Sequence, residues 1–294
     1  MRFSSQPYVK FTPFLHAAKQ VCLHILIGCI VLVSLGSCEE IVNPNLVSLE
    51  VPIVSIDGWL TDRPFESRVV LSRTAPFNSN DPNPRISGAL VRIDTQRGRF
   101  FFQEDLNEPG LYMPIGSDFV VLPGNSYQLI VNIENTQYEA ELAVAPSQQI
   151  DSLTYEFFDE NAERDSGYYL TFYFKDPSGT NFYFWEVYKD GELISGQDIN
   201  ITDDVNVNNS NIEIELDNYT FALGDEAEVR LHTITKETFE YYQALKLLVD
   251  AGSPAQSVPE NPISNIRDVS SEEATEVVGY FNATLSSSVQ VEIQ

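Results

Sequence analysis

Few residues in this chain could do covalent chemistry. Its three cysteines are Cys22, Cys29 and Cys38, its three histidines are His16, His24 and His232, and 43 Asp plus Glu stand against 17 Lys plus Arg. Cys38 is the most informative of them, because Leu35-Gly36-Ser37 precedes it and closes an apolar run that begins at Val21. Upstream of that run the only charges are Arg2, Lys10 and Lys19, a positive segment without a carboxylate. At about 15 residues the run is short of the roughly 20 that a permanent membrane helix needs, and it ends in small residues. That is the layout of a cleaved signal, with a thiol as the first residue after the cut.

Leu35, Gly36, Ser37 and Cys38 resemble the bacterial lipobox. The resemblance implies a diacylglyceryl group on the Cys38 sulfur and a fatty acyl group, such as palmitate, on its new amino terminus. At about 0.8 kcal/mol per buried methylene, one chain holds a protein to a bilayer weakly and several together hold it stably. Two other readings stay open: an uncleaved signal anchor, and processing at Cys29 after Leu26-Ile27-Gly28, which would leave Ile30 to Leu35 as an apolar mature end. Glu39 and Glu40 follow directly and look like the export signal that carries Bacteroidota lipoproteins to the outer face of the outer membrane. A charged tether without that role is the plainer alternative. Residues 1–37 are thus expected to be a signal peptide and 38–46 a lipidated tether.

Processing after Ser37 removes His16, His24, Cys22 and Cys29, and acylation occupies Cys38, so no disulfide supports the fold. His232 is then the one histidine of the mature chain. A Ser-His-Asp or Cys-His nucleophile system would have to be built on it, in mid-strand, and zinc sites needing several histidines or thiolates are excluded. No glycine-rich phosphate loop with lysine occurs. Carboxylate chemistry such as glycoside hydrolysis needs one pair flanking a sugar bond, and no pair stands out among the 43 acids. Asp198, Asp203 and Asp204 are candidate calcium ligands by composition, but their spacing lacks the glycine-centred EF-hand loop. The chain therefore reads as a non-enzyme with no cofactor and no metal. Losing the three basic residues of the signal leaves 14 Lys plus Arg against 43 Asp plus Glu, a net charge of −29. Such a surface repels phosphate backbones and anionic headgroups, which argues against nucleic acid and against a basic membrane patch.

The elements that must position any site are β-strands. Alternating apolar residues predict strands over Arg68 to Thr74 (Val69, Leu71 inward), Ala89 to Asp94 (Ala89, Val91, Ile93 inward), Gly98 to Gln103, Leu111 to Met113, Tyr127 to Ile133, and Tyr138 to Val144. An earlier strand runs from Val47, with a phase slip at Val54 beside Pro52 that suggests a bulge. Separated by Pro, Gly and Asn, these strands describe a sandwich over residues 47–146, and the exposed loop Pro76 to Pro84 is its expected contact surface. Beyond a seam at Pro146 to Ile150, residues 150–294 are expected to form a second, more aromatic β-domain. There Tyr168, Leu170, Phe172 and Phe174 share one face, Phe182 to Tyr188 follows, and Asp190-Gly191 is a type I′ turn signal. Aromatic residues on both faces mean burial on both sides or an exposed binding platform, and burial is the expected outcome. Asp198 to Asn211 reads as a second exposed loop. One helix is expected over residues 236–251, with Thr235 as N-cap, Phe239, Tyr242, Leu245, Leu248 and Val249 as its apolar stripe, and Gly252 at C′. The fold class is thus mainly β: two antiparallel β-sandwich domains, the second with one packed α-helix near the C-terminus.

Ser87-Gly88-Ala89, Gly98 to Phe102, Pro109-Gly110-Leu111-Tyr112 and Gly124-Asn125-Ser126-Tyr127 resemble the transthyretin-like and carboxypeptidase-regulatory-like sandwiches. Asp151-Ser152-Leu153 matches the pattern at which Bacteroidota proteins are O-glycosylated on Ser152, with plain strand entry as the alternative. Ile56-Asp57-Gly58, Val69 to Ser72, Tyr241-Tyr242, Asn261 to Ile266 and Gly279-Tyr280-Phe281, in that order, resemble the domain-of-unknown-function 4249 family of Bacteroidota outer-membrane lipoproteins. That resemblance implies an accessory role in capture or uptake beside a TonB-dependent receptor, with a membrane contact through the lipid anchor. An adhesive or structural surface protein is the alternative.

Overall fold

The computed structural model describes residues 52–75, 83–160, 164–196, 198–205, 210–250, 261–270 and 275–294. Seven strands come first: β1 (Val54–Thr61), β2 (Arg68–Arg73), β3 (Leu90–Thr95), β4 (Gly98–Glu104), β5 (Leu111–Pro114), β6 (Ser126–Ile133) and β7 (Thr136–Ala143). Val69, Leu71, Val91, Ile93, Leu129 and Val131 are all fully buried, as the period-two pattern predicts. Next come β8 (Ser152–Phe158), β9 (Gly167–Lys175), β10 (Phe182–Lys189), β11 (Glu192–Leu193), β12 (Ile201–Asp203), β13 (Asn211–Glu215) and β14 (Glu226–Ile234). Helix α1 (Lys236–Asp250), β15 (Arg267–Asp268), β16 (Val277–Val278) and β17 (Phe281–Glu292) close the chain. Among the described residues the fold is mainly β with one helix. Asp190 (φ 51°) and Gly191 (φ 80°) make the two-residue turn expected between β10 and β11, where Lys189 faces Glu192.

Two hydrophobic cores form, and β17 serves both. The first takes residues from β1 to β7 together with Ile266, Val277, Phe281, Ala283 and Leu285. The second lies between β9 and β13 on one side and β10, β14 and the far half of β17 on the other, through Phe172, Phe174, Tyr183, Val229 and Val291. The phenylalanine-rich strands are thus largely core, as expected. A prediction of antiparallel sheets alone does not hold, because β17 pairs in parallel with β1, Gly58 to Phe281 through Thr61 to Thr284. It then pairs antiparallel with β14, Thr233 to Leu285 through Glu226 to Glu292. Fourteen strands are joined in this way, beside a three-stranded sheet ordered β13-β9-β8, and residues 49–294 form one compact unit. A period-two pattern reports which face of a strand is buried and is silent on which strand lies alongside it.

Helix α1 differs from expectation at its far end. Thr235 caps it, its Oγ1 accepting the Thr238 N–H at 3.2 Å. Phe239 is buried and Tyr242, Leu245 and Leu248 are partly buried, but Val249, the last residue of the expected stripe, is 60% exposed, and Leu247, off that stripe, is 67% exposed. Gly252 lies outside the described residues. Among the described residues no helix is long and apolar enough to cross a membrane.

Candidate functional site

Cys38, Glu39 and Glu40 lie outside the described residues, as do residues 76–82 of the first expected loop. Ser152 opens β8 with its side chain exposed. The second expected loop is partly ordered against the core: β12 pairs with β10, and Asp198 accepts the Tyr219 phenol at 2.7 Å. Asp203 accepts the Val205 N–H and Asp204 the Asn181 N–H, so the three aspartates weighed for calcium are turned to separate partners. Among the described residues no group of three or more His, Cys, Asp or Glu side chains comes together as a metal site.

The structure instead brings charged and aromatic side chains together where the sequence singled out only His232. Val229 and Leu231 of β14 point into the second core, so Glu228, Arg230 and His232 are directed to the opposite face. Tyr183 and Val187 do the same for β10 and turn Phe184, Glu186 and Tyr188 outward, with Glu186 facing Arg230 and Phe184 facing His232. This polar face meets the hairpin of β1 and β2, where Trp59 is paired with Arg68. Between them lies a groove of about 330 Å³, closed at one side by Leu111 and Met113 of β5.

A chain of hydrogen bonds fixes its wall. Oε2 of Glu186 accepts from Nε2 of His232 at 3.1 Å and from the Tyr188 hydroxyl at 3.0 Å. Since an ionised carboxylate can only accept, the imidazole proton facing it sits on Nε2. Nδ1 of His232 is buried without a partner. Burial pushes the Glu186 carboxyl up, but the His232 hydrogen bond and charge, the Tyr188 hydroxyl and the Arg68 charge outweigh it and hold it below the usual carboxylate range. Burial and the neighbouring Glu186 charge push the Tyr188 phenol up, so it stays protonated. Arg230 donates through Nε to Glu228 at 2.6 Å and through Nη1 to Glu66 at 3.0 Å. Trp59 lies 5.3 Å from both Phe184 and His232, edge-on to the imidazole, and Tyr242 of α1 stacks on Phe184 at 5.5 Å.

Two residues of the groove are left open. Arg68 is exposed and makes no hydrogen bond or ion pair among the described residues. Phe65 is 57% exposed and has φ 66°. It occupies the third position of a β-turn closed by the Glu66 N–H on the Arg63 carbonyl, a left-handed position that favours glycine and is a true outlier for a bulky side chain. The loop is held from both ends. Asp62 accepts the Ser286 N–H and hydroxyl at 3.1 and 2.8 Å, Arg63 donates to Ser286 and Ser288 at 3.1 and 2.7 Å, and Glu66 pairs with Arg230. Such over-determination is what keeps a strained residue in place.

Chemically the groove is equipped to hold a ligand. Ser286 faces His232 in register, but its hydroxyl is engaged by Asp62 and Arg63, and it makes no hydrogen bond to the imidazole. Sequence reasoning missed Phe65, Arg68, Glu186 and Arg230, since none belongs to a motif. Charged residues on the outer face of a strand look like solvated ones until the partner hairpin is known.

The motif residues that carried the sequence resemblance gather at the β1–β17 junction instead. Asn265 donates to the Phe281 carbonyl and accepts its N–H, both at 2.8 Å, and Tyr241 stacks on Tyr280 at 4.6 Å. Gly58 lies against Phe281, whose Cδ2 would be 2.7 Å from a Cβ at that position. The family described as "Domain of unknown function (DUF4249)" matches residues 39–290. Comparison with curated proteins found no match.

Proposed function

Because the chain belongs to the DUF4249 family, with a match that starts one residue after Cys38, we propose that it is a non-enzymatic lipoprotein of the outer membrane that captures a ligand beside a TonB-dependent receptor. Acyl chains on Cys38 hold it to the leaflet, and Glu39 and Glu40 direct it to the cell exterior. Ser152, exposed at the start of β8, is open to O-glycosylation. The observation that carries capture is the groove, in which a strained, exposed Phe65 and an Arg68 that makes no ion pair among the described residues stand beside a wall of fixed hydrogen bonds. Strain held in place by surrounding contacts gathers at binding sites.

Replacing Cys38 by serine tests the anchor. The product is expected to move from the membrane fraction to the soluble one, and intact mass should show loss of the acyl groups. Purification from solubilised outer membrane tests the partner: a co-purifying barrel supports uptake. The alternative is an adhesive surface protein, favoured by the apolar side chains that α1 leaves exposed at Leu247 and Val249. Absence of a barrel in the same preparation would favour that reading.

A further inference from the structure

In a chain of net charge −29 after processing, the groove sets Arg68 and Arg230 beside Glu66 and Glu186. Arg230 pairs with Glu228 and Glu66, and Glu186 is hydrogen-bonded by His232 and Tyr188, so the Arg68 guanidinium, whose charge acts on Glu186 without a direct contact, makes no hydrogen bond or ion pair among the described residues. A free guanidinium presents a planar fork of N–H groups that matches a carboxylate in two parallel bonds. The second unsatisfied group has the opposite sense. Both hydrogen bonds to Glu186 fall on Oε2, so Oε1 remains an acceptor without a donor among the described residues. The third feature is apolar surface. Trp59 sits beside Arg68 on the neighbouring strand, Met113 and Leu111 close the side, and Phe65 is held exposed at the rim against its own backbone preference. A volume of about 330 Å³ is at the small end of ligand sites, enough for a single ring with its substituents.

We propose that this groove binds a small planar organic carboxylate carrying a hydrogen-bond donor, with the carboxylate on Arg68, the donor on Glu186 Oε1 and the ring against Trp59 and Phe65. The assignment rests on the ligand-capture reading and adds the chemical class to it. The order of roles follows from the charges. The carboxylate must go to Arg68, since Glu186 would repel it, and the donor must go to Glu186, since Arg68 has only donors of its own.

The test uses the acylated protein purified in detergent micelles and calorimetric titration with three probes: 4-hydroxybenzoate, 4-hydroxybenzamide, which lacks the charge, and benzoate, which lacks the donor. 4-Hydroxybenzoate is expected to bind, and each of the other two to bind about tenfold more weakly or worse. Arg68→Gln, at an exposed position, should fold normally and abolish the preference for acid over amide. Phe65→Gly relieves the left-handed strain, so it should keep or raise the thermal midpoint while weakening 4-hydroxybenzoate binding. Equal affinity for acid and amide, no binding of any probe, or an acid preference that survives Arg68→Gln would overturn the assignment. The two readings fail separately. Micelle titrations need no receptor, so probe binding without a co-purifying barrel would sink the receptor role alone, and a barrel without probe binding would sink the ligand class alone.

Discussion

Single side chains hold backbone here as much as they hold one another. Asn265 satisfies both backbone groups of the buried Phe281, and replacing it by alanine leaves an N–H and a carbonyl without those partners. Asn265→Ala is expected to destabilise by about 2 kcal/mol, read as a lower midpoint in urea with unchanged slope. Glu186 predicts a pH dependence. Its carboxyl lies below the ordinary value of 4.5, so its contribution is complete above about pH 4.5 and is lost as pH falls through the lower folded value. Glu186→Gln should flatten the fall in stability over that acid range. An unchanged acid limb would show that its hydrogen bonds with His232 and Tyr188 contribute nothing. His232 itself was legible as the one histidine beyond the N-terminal apolar run, whereas its partner was not, because Glu186 lies 46 residues away and on another strand.

At the scale of elements, β1 is hydrogen-bonded on one edge to β2 and on the other to β16 and then β17, and the step between those two short pairings is Gly279. It has φ 93°, and a Cβ there would run into the Ile56 backbone. Gly279→Ala is therefore expected to cost about 3 kcal/mol, from strain and displacement of β1 together, measured by chemical denaturation. A cost below 1 kcal/mol would mean that the crossing adjusts freely. The Gly279-Tyr280-Phe281 motif is thus explained by chain passage, and its neighbours Gly58 and Asn265 by the same junction. Motif order identified the family without locating the groove. Elsewhere the element reading missed Phe119 and Val121, both 1% exposed in an irregular stretch between β5 and β6. Phe119 packs edge-on against Phe100 and Phe102 at 5.2 Å each, a role that no alternation announces.

For the whole molecule, sharing β17 between two cores has a thermodynamic consequence. Phe281, Ala283 and Leu285 belong to the first core and Val289 and Val291 pack against the second, so neither can lose that strand without exposing the other. Thermal unfolding is expected to be a single transition with equal calorimetric and van't Hoff enthalpies. Two separated transitions would mean that the halves unfold independently despite the common strand. The β1–β2 hairpin is tied across to β17 through Asp62 and Arg63, and the groove should therefore persist until that transition.

What the sequence determined by itself was local or additive: the anionic charge, the inward faces of the strands, the Asp190-Gly191 turn, the Thr235 cap and, through the order of weak motifs, the family. Each depends on residues a few positions apart or on a sum over the chain. The tertiary structure alone decided that β17 runs parallel to β1, that Glu186, Arg230 and His232 meet Trp59 and Arg68, and that Phe65 is held against its backbone preference. Those outcomes turn on strand neighbours far apart in sequence, and a repeat of two residues carries no label for its partner.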